Sequence, residues 1–550
     1  MSAAREERGD PNVGGAGRAA AWETLMILGL FFLYAGCPPP DVNEAHYLAK
    51  AKHYWDPQWC ASDGFLESTD AHTVFYWTFG WLTRWLALPA VAWVGRMVTW
   101  SLLAWAWQRL SYAIVPRRNV SVLTAGLFLL FLDRCHLAGE WVVGGVEAKG
   151  FAYVLVFCGL RSLVRGEWRA VWIWLGMSSA FHVLVGGWSV VAAAVAWLMS
   201  GPSRTPLRLM IPSLIGGFAL ALAGLLPAVD LTLGVDAETT QQANVIYVYG
   251  RLGHHLAPGQ FALDRILWFG LLVMIWAVLW WRLRPAPPPW AGLNRFAVGT
   301  LVIATAGVLV DVLLRSRPGI AAELLRFYWF RASDMALPTV TAIGIPTLLV
   351  LWQGSHPRRA RGGWWACAAA SAAFVLAVYA GHLDDFRPRA EVQARPVSRG
   401  NKAAAEARYR AWRDACAWIA VHTDPDDRFL TPRDQQTFKW HAGRAEVVSW
   451  KDIPQDAAGI VRWWRLLEEL HPPLASGSGI AAWSDSQLAE IAQRHHVDYI
   501  LVDQTRVFRN LRFQRVYPVT SRARPYFVLY RVPEVTKEEE GDARRGRRRP

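Results

Sequence analysis

Charge is scarce in this chain. Asp, Glu, Lys and Arg make up 19% of its 550 residues, against about a quarter in soluble domains. That deficit excludes an ordinary soluble protein, and it is uneven: apolar runs dominate to about Gly381, and a charge-rich stretch follows. Cysteine is also sparse. The six cysteines are scattered, with no Cys-x-x-Cys and no metal-ligand spacing, which excludes a cysteine-based metal site. Cys37 and Cys60 share the first polar segment and either pair in an oxidising compartment or stay as two small free thiols. No repeat of 20–50 residues is visible, so a solenoid is excluded.

What is abundant is apolar: 53% hydrophobic residues and 32 tryptophans. A hydrocarbon layer about 30 Å thick needs about 20 apolar residues in a helix. Eleven segments read as spans, near 22–37, 89–110, 119–138, 148–164, 170–184, 186–200, 209–229, 263–282, 296–314, 335–353 and 364–381. The pair at 170–200 requires "FHVLVGGW" to be a tight turn, and without one it is a single span. The amphipathic stretch 73–88 lies at the interface or extends the second span. "LFFLYAGC" resembles a lipoprotein cleavage box, but Tyr34 stands where Leu is usual, so this segment is taken as an uncleaved first span.

The net charge of +14 is explained by position rather than by nucleic acid. Every second loop is basic: "PRRN" at 116–119, Arg161 to Arg169, "PSRTPLR" at 202–208, "RLRP" with Arg295, and "HPRRAR" at 356–361. The intervening loops hold Asp41 and Glu44, Glu140 and Glu147, and Asp230 to Glu238, although "RSRPG" at 315–319 also falls on that side. Basic loops stay cytoplasmic, so residues 1–21 form a cytoplasmic tail and the C-terminal region is extracytoplasmic. No nucleic-acid partner is expected.

The fold class is therefore an α-helical polytopic membrane protein of about eleven spans with a C-terminal extracytoplasmic α/β domain. Its membrane domain covers 22–381, with a first outer loop at 38–73. The α/β domain covers 382–536, where "RFLTP", "AEVVSW", "DYILVD" and "YFVLYRV" read as strands. "EARYRAWRDACAWIAVH", "AAGIVRWWRLLEEL" and "SDSQLAEIAQRHH" read as amphipathic helices. The charged tail 537–550 lacks apolar residues and reads as disordered.

Ionisable residues beside a bilayer are costly and mark functional or paired sites. In "PPPDVNEAHYLAKAKHYW", Gly36 and the prolines stop the first span. A new helix then begins at the interface, with Asp41 and Glu44 on one face; these acids either cap that helix in water or act. "GEWVVGGVEAKGFAY" brings Glu140 and Glu147 around a Gly-Gly pair, able to meet one cation or one hydroxyl. The bland alternative is a plain turn with Lys149 snorkelling. In "QQANVIYVYGRLGHHLAP", Arg251 and one histidine, His254 foremost, suit an anion or lipid phosphate. In "ELLRFYWFRASDMALP", Arg326 and Arg331 are five apart and cannot share a face of one regular helix. One of them suits a phosphate, or Arg331 simply pairs with Asp334. His182 reads as a packed polar residue.

This arrangement of acids, arginines and external domain resembles the GT-C superfamily of membrane glycosyltransferases, which includes protein O-mannosyltransferases and oligosaccharyltransferases. Three stretches, "PDVNEAHYLAKAKHYWDPQW", "GEWVVGGVEAKGFAY" and "TPRDQQTFKWHAGRAEVVSWKD", also resemble a group of polytopic bacterial membrane proteins of unassigned function. The resemblance implies inverting transfer of a sugar from a polyprenyl-phosphate donor to an acceptor at the outer face of a bacterial inner membrane. Asp41, with Glu44, would be the base. Glu140 and Glu147 would assist the acceptor or a metal, and Arg326 or Arg331, with Arg251 and His254, would hold the phosphate. The tight Asp-x-Asp common in that family is missing between spans three and four, which leaves the cofactor, a divalent cation included, open. Partners would be the lipid-linked donor and membrane lipids, with the oligomeric state open. Arg444, Lys451 and Asp452 are offered as acceptor contacts. A transporter or flippase of lipid-linked saccharide is the alternative, but its polar residues would sit at midplane in repeated halves. A non-catalytic envelope-assembly protein of the same fold is the third reading.

Overall fold

The structure is a computed structural model that describes residues 11–394, 401–472, 479–507, 509–520 and 524–533. The tail 537–550 and residues 1–10 of the N-terminal tail lie outside the described residues. The chain forms two compact units. The first holds Met1–Pro39, Asp70–Phe79 and Pro89–Phe386; the second holds Pro40–Thr69, Gly80–Leu88 and Arg387–Pro550.

The first unit is helical. Among the described residues, six of its helices are long and apolar enough to cross a membrane: Gly17–Ala35, Leu207–Asp230, Leu263–Arg282, Pro288–Leu313, Arg331–Ser355 and Pro357–Asp384. Phe218, Leu226, Trp281 and Leu313 on these helices are exposed, as lipid-facing side chains would be and as soluble surfaces rarely are. The chain is an integral membrane protein.

The other five expected spans are helices as well, but they do not meet the same test. Val120–Arg134, Ala148–Val164, Trp168–Phe181 and Val183–Leu198 have 15, 17, 14 and 16 residues, short of the roughly 20 that a bilayer requires. Leu88–Ile114 is one continuous helix of 27 residues that carries Arg96 and Arg109, and it does not count among the six by composition. Six spans, rather than eleven, stand on length and composition.

The break within 170–200 falls at His182, which is extended (φ −151°, ψ 102°) between two helices. The Gly-Gly pair lies inside the second of them. A Cβ on Gly186 would come within 2.2 Å of the Ser179 amide nitrogen, so glycine there lets the two helices approach. Buried tryptophans fill the core of this unit, Trp100, Trp107 and Trp290 among them. Indole N–H groups need partners when buried: Trp100 donates to the Gly144 carbonyl at 2.8 Å and Trp107 to Thr124 Oγ1 at 3.1 Å.

The second unit is α/β. Strands β1 (Arg428–Leu430), β2 (Ala445–Glu446), β3 (Tyr499–Asp503), β4 (Gln514–Tyr517) and β5 (Phe527–Arg531) form one sheet in the order β2-β1-β3-β5-β4. β1 is parallel to β2 and β3, while β5 is antiparallel to β3 and β4. Trp412, Phe429, Phe438, Leu501 and Phe527 build its core. Helices start where their caps dictate. Asp456 accepts the Gly459 amide ahead of Ala457–Leu470, and Ser484 with Gln487 forms a capping box ahead of Asp485–Arg494.

Candidate functional site

In the first unit, three helix starts converge on one buried cluster. Glu147 is the residue before the Ala148–Val164 helix, His182 precedes Val183–Leu198, and Arg331 opens Arg331–Ser355. Each such end carries partial positive charge from unsatisfied N–H groups. Lys149 Nζ lies 3.3 Å from Glu140 Oε1 and 3.1 Å from Glu147 Oε1. Arg331 Nε lies 2.8 Å from Glu140 Oε2. Tyr153 donates its hydroxyl to Glu140 Oε1 at 3.1 Å. Arg331 Nη1 also reaches His182 Nε2 at 3.1 Å, and the His182 ring lies 5.4 Å from that of His72. His72 Nδ1 is in turn 2.8 Å from Asp70 Oδ1.

Local geometry explains why these groups meet. Asp334 accepts the amides of Leu137, Ala138 and Glu140 at 2.7, 2.8 and 3.4 Å, so the loop carrying Glu140 is tied to the helix that Arg331 begins. Asp334 thus anchors a loop, and Arg331 is engaged by Glu140. His255 Nδ1 meets the Ala138 carbonyl in the same loop. At Gly144 a Cβ would come within 2.5 Å of the Trp141 ring, over which Lys149 Nζ sits at 3.8 Å. Lys149 is buried at 6% exposure, so it does not reach outward as a snorkelling lysine would.

The two arginine candidates separate. The helix Pro318–Leu325 ends before Arg326, Tyr328 takes φ +53°, and a new helix starts at Arg331. Arg326 donates to Asn244 Oδ1 at 2.7 Å, in a neighbourhood where the Tyr247 and Tyr328 hydroxyls are 3.2 Å apart. Arg331 alone of the pair meets Glu140. His254 is exposed and stacks on His255, with ring centroids 4.0 Å apart, and Arg251 is half-buried.

Asp41 and Glu44 belong to the second unit. Both are buried, at 3% and 1% exposure, so they are not caps facing water. Asn43 is the residue before the Glu44–Trp55 helix. Glu44 Oε2 accepts the Asp41 amide at 2.7 Å, and Asp41 Oδ1 accepts the Val42 amide at 2.7 Å. A loosely placed cation accompanies Asp41: Arg389 Nη1 stands 3.9 Å from its Oδ2.

The same unit contains a cluster that the sequence did not reveal. Lys439 Nζ lies 3.2 Å from Asp63 Oδ2, 2.7 Å from Glu446 Oε1 and 2.7 Å from Asp452 Oδ2, with His46 3.2 Å from Asp452. Burial would lower the ammonium's pKa, but Asp452, Asp63 and Glu446 outweigh it and hold it well above its ordinary value. Burial, only partly offset by Lys439, pushes the Glu446 carboxyl up to about 7. Asp452 is buried too, yet Lys439 and His46 hold it below the usual range. Of the proposed acceptor contacts, Asp452 is thus taken up by Lys439. Arg444 donates to the Ala420 and Thr423 carbonyls at 3.0 and 2.8 Å, closing the C-terminal end of Lys402–His422. Lys451 is half-buried.

Among the described residues, no group of three or more His, Cys, Asp or Glu side chains is arranged to hold a metal ion. The space between Glu140 and Glu147, which the sequence left open to one cation or one hydroxyl, is filled by the Lys149 ammonium, so that carboxylate pair does not fit a divalent ion beside it. All six cysteines are free thiols, Cys37 and Cys60 included. His182, His72 and Tyr153 were missed as cluster members. The one available signal was His182 itself, a polar ring in an apolar stretch.

Comparison with known proteins adds little at the level of the chemistry. A family described as a domain of unknown function (DUF6798) matches residues 410–470. No curated protein matches the chain. Among solved structures, the Archaeoglobus fulgidus oligosaccharyltransferase in complex with Zn and sulfate is 10% identical. It aligns at a TM-score of 0.45 over 88% of this chain and 68% of its own. The archaeal oligosaccharyltransferase AglB from Archaeoglobus fulgidus, with an inhibitory peptide and a dolichol-phosphate, is 10% identical at 0.44, over 90% and 70%. The apo form of the Archaeoglobus fulgidus enzyme is 11% identical at 0.43, over 89% and 69%. Scores and identities this low do not assign the chain to that family.

Proposed function

We propose that this protein is an integral membrane glycosyltransferase that moves a sugar from a polyprenyl-phosphate donor to an acceptor at the outer face of a bacterial inner membrane. The observation that carries the reading is the first unit's cluster of Arg331, Lys149, Glu140, Glu147 and His182, on which three helix starts converge. Such a cluster is cationic at its backbone and balanced in its side chains. A phosphate can take the place of a carboxylate against a guanidinium, with the same forked geometry. Arg331 is preferred to Arg326 as the phosphate contact because it alone meets Glu140. Arg251 and His254 remain secondary candidates for the lipid phosphate. The alternation of basic and acidic loops supports a cytoplasmic N-terminus and an extracytoplasmic C-terminal domain.

In the proposed reaction the acceptor oxygen attacks the anomeric carbon and the carbon–oxygen bond to the phosphate breaks. The acceptor's proton passes to a carboxylate, and polyprenyl phosphate departs. A positioned carboxylate contributes by general base catalysis, and Asp41, held by Glu44 and only loosely paired, is proposed for that role. A guanidinium aimed at the departing phosphate stabilises the charge that develops there. Glu140 and Glu147 set the positions of Arg331 and Lys149. The test is transfer from radiolabelled polyprenyl-phosphate sugars in membranes, comparing wild type with Asp41→Asn and Glu147→Gln. Loss of transfer in both variants supports the roles, and equal transfer in all three removes them.

One observation favours a second reading, a non-catalytic envelope-assembly protein: Glu140 and Glu147 are already neutralised by Arg331 and Lys149, as in a structural ion network. Absence of transfer from any polyprenyl-phosphate sugar by the wild type would decide for it.

A further inference from the structure

The α/β unit contains a cavity of about 370 Å³, within the roughly 300–1,000 Å³ range of small-ligand sites. It opens at the carboxyl ends of the parallel strands β1 and β3, at Pro432 and Arg433 after the one and at Asp503, the last residue of the other, and Arg506 beyond it. Ligands of open α/β sheets bind at that edge. Trp450 and Trp464 face it with ring centroids 6.4 Å apart, and the Arg433 guanidinium lies 4.2 Å from the Trp450 ring. Leu467 and Ile480 complete an apolar wall.

Around this cavity three guanidiniums, of Arg433, Arg506 and Arg408, stand with three carboxylates, of Asp434, Asp503 and the exposed Glu468 on the lining. Arg506 Nη1 is 2.6 Å from Asp434 Oδ2, Arg433 Nη1 is 3.9 Å from Asp434 Oδ1, and Asp503 accepts from Arg408 at 2.8 Å. No glycine-rich phosphate loop follows either strand: the chain continues as "TPRDQQ" after β1 and "QTRVF" after β3. A phosphate-bearing ligand therefore finds no glycine-rich backbone cradle here, and the guanidiniums of Arg433 and Arg506 already neighbour the Asp434 carboxylate. Two lining residues do carry buried nitrogens without a partner among the described residues, Arg433 Nε and His471 Nε2. His471 is 5% exposed, and burial with the nearby Arg433 pushes its pKa down to about 3. It is a neutral ring, offering hydrogen bonds and no charge.

From this combination we propose that the cavity is a binding site for a neutral saccharide, whose C–H face stacks on Trp450 and Trp464 while its hydroxyls engage Arg433 and His471. A polyhydroxylated ring meets both demands of the lining: apolar faces for indoles, and hydroxyls that donate or accept as the unpartnered nitrogens require. The site does not depend on the transferase reading, because binding is measured without turnover.

The test uses the full chain in nanodiscs, free of glycoside detergents, with α-mannotriose, cellotriose and chitotriose as probes. Inorganic phosphate and a neutral tripeptide serve as comparisons. Saturation-transfer NMR should show contact to sugar-ring C–H protons for at least one trisaccharide. Titration should show binding weakened about tenfold or more by Trp464→Ala and by Arg433→Gln. Trp464 is half-buried, and Trp464→Phe, which keeps a stacking face, should retain most of the affinity. Failure of all three trisaccharides to bind would overturn the proposal, as would equal affinity in Trp464→Ala. Trp464-dependent binding of phosphate or of the peptide in place of the sugars would overturn it as well.

Discussion

Each unit of this protein buries a basic side chain among carboxylates, and the two clusters are built on different ratios. In the first unit two cations, Arg331 and Lys149, face two carboxylates, Glu140 and Glu147. In the second, the single ammonium of Lys439 faces three, Asp63, Glu446 and Asp452. A lone cation inside an acid cage is not replaceable: without it, three buried charges repel one another. A balanced set at helix starts can exchange one anionic partner for another, since the guanidinium and the helix ends favour a phosphate as readily as a carboxylate. The acid cage therefore acts as a lock within the second unit, and the balanced cluster is the site proposed for chemistry.

That contrast breaks most visibly at Lys439. Lys439→Met removes the cation and leaves the acids, which costs about 3–5 kcal/mol when a buried pair loses one partner. Denaturant unfolding of the full chain should show the second unit melting first. An unchanged midpoint would mean the cage is no lock. Adding Glu446→Gln to that variant should restore part of the loss, because one of the repelling charges is gone.

A smaller effect is expected at Asp334, which holds the Glu140 loop through three amides. Asp334→Asn turns one acceptor into a donor facing an amide and should cost about 1–3 kcal/mol. It should also lower transfer activity with little change in expression. Full activity would show that the loop holds its shape unaided.

The smallest expected effect is on pH. Glu446 has a folded pKa of about 7 against an ordinary 4.5. Its contribution to stability is therefore complete below about pH 4.5 and is lost as pH rises through 7. Asp452, held low, acts in the opposite sense, and its contribution is lost only as pH falls below the ordinary carboxylate range. Between pH 5 and 8 the second unit should thus lose stability through Glu446 as its carboxyl ionises. Glu446→Gln should flatten that slope; an equal slope in the variant would place its origin elsewhere.

Much of the helical scaffold could be read from the sequence, because apolar run length and turn residues are local signals. Each of the eleven expected segments is a helix, although four of them, at 14 to 17 residues, are shorter than the roughly 20 residues a bilayer usually takes. The α/β unit was legible from alternating short β-type runs and amphipathic helices. The Glu140–Glu147 grouping was visible because only a short turn separates the two. Choosing between Arg326 and Arg331 was not possible from helical spacing, since that reasoning assumes one regular helix. The chain instead breaks at Tyr328. The Lys439 cage was invisible for a different reason: Asp63 and Lys439 are brought together only by tertiary folding, and neither has a distinctive neighbour pattern. His182 looked like packing because its partners, His72 and Arg331, come from distant parts of the chain.

The central claim, that the first unit's balanced cluster handles a lipid phosphate through Arg331, meets its most direct test in one assay. Sugar transfer from a radiolabelled polyprenyl-phosphate donor would be measured in membranes carrying wild type, Arg331→Gln or Arg326→Gln at matched expression. Loss of a donor aimed at developing charge typically lowers turnover about 10²–10³-fold. A loss of that order is expected in Arg331→Gln, with most of the activity kept in Arg326→Gln. Equal activity in the two variants, or no transfer by the wild type, would contradict it.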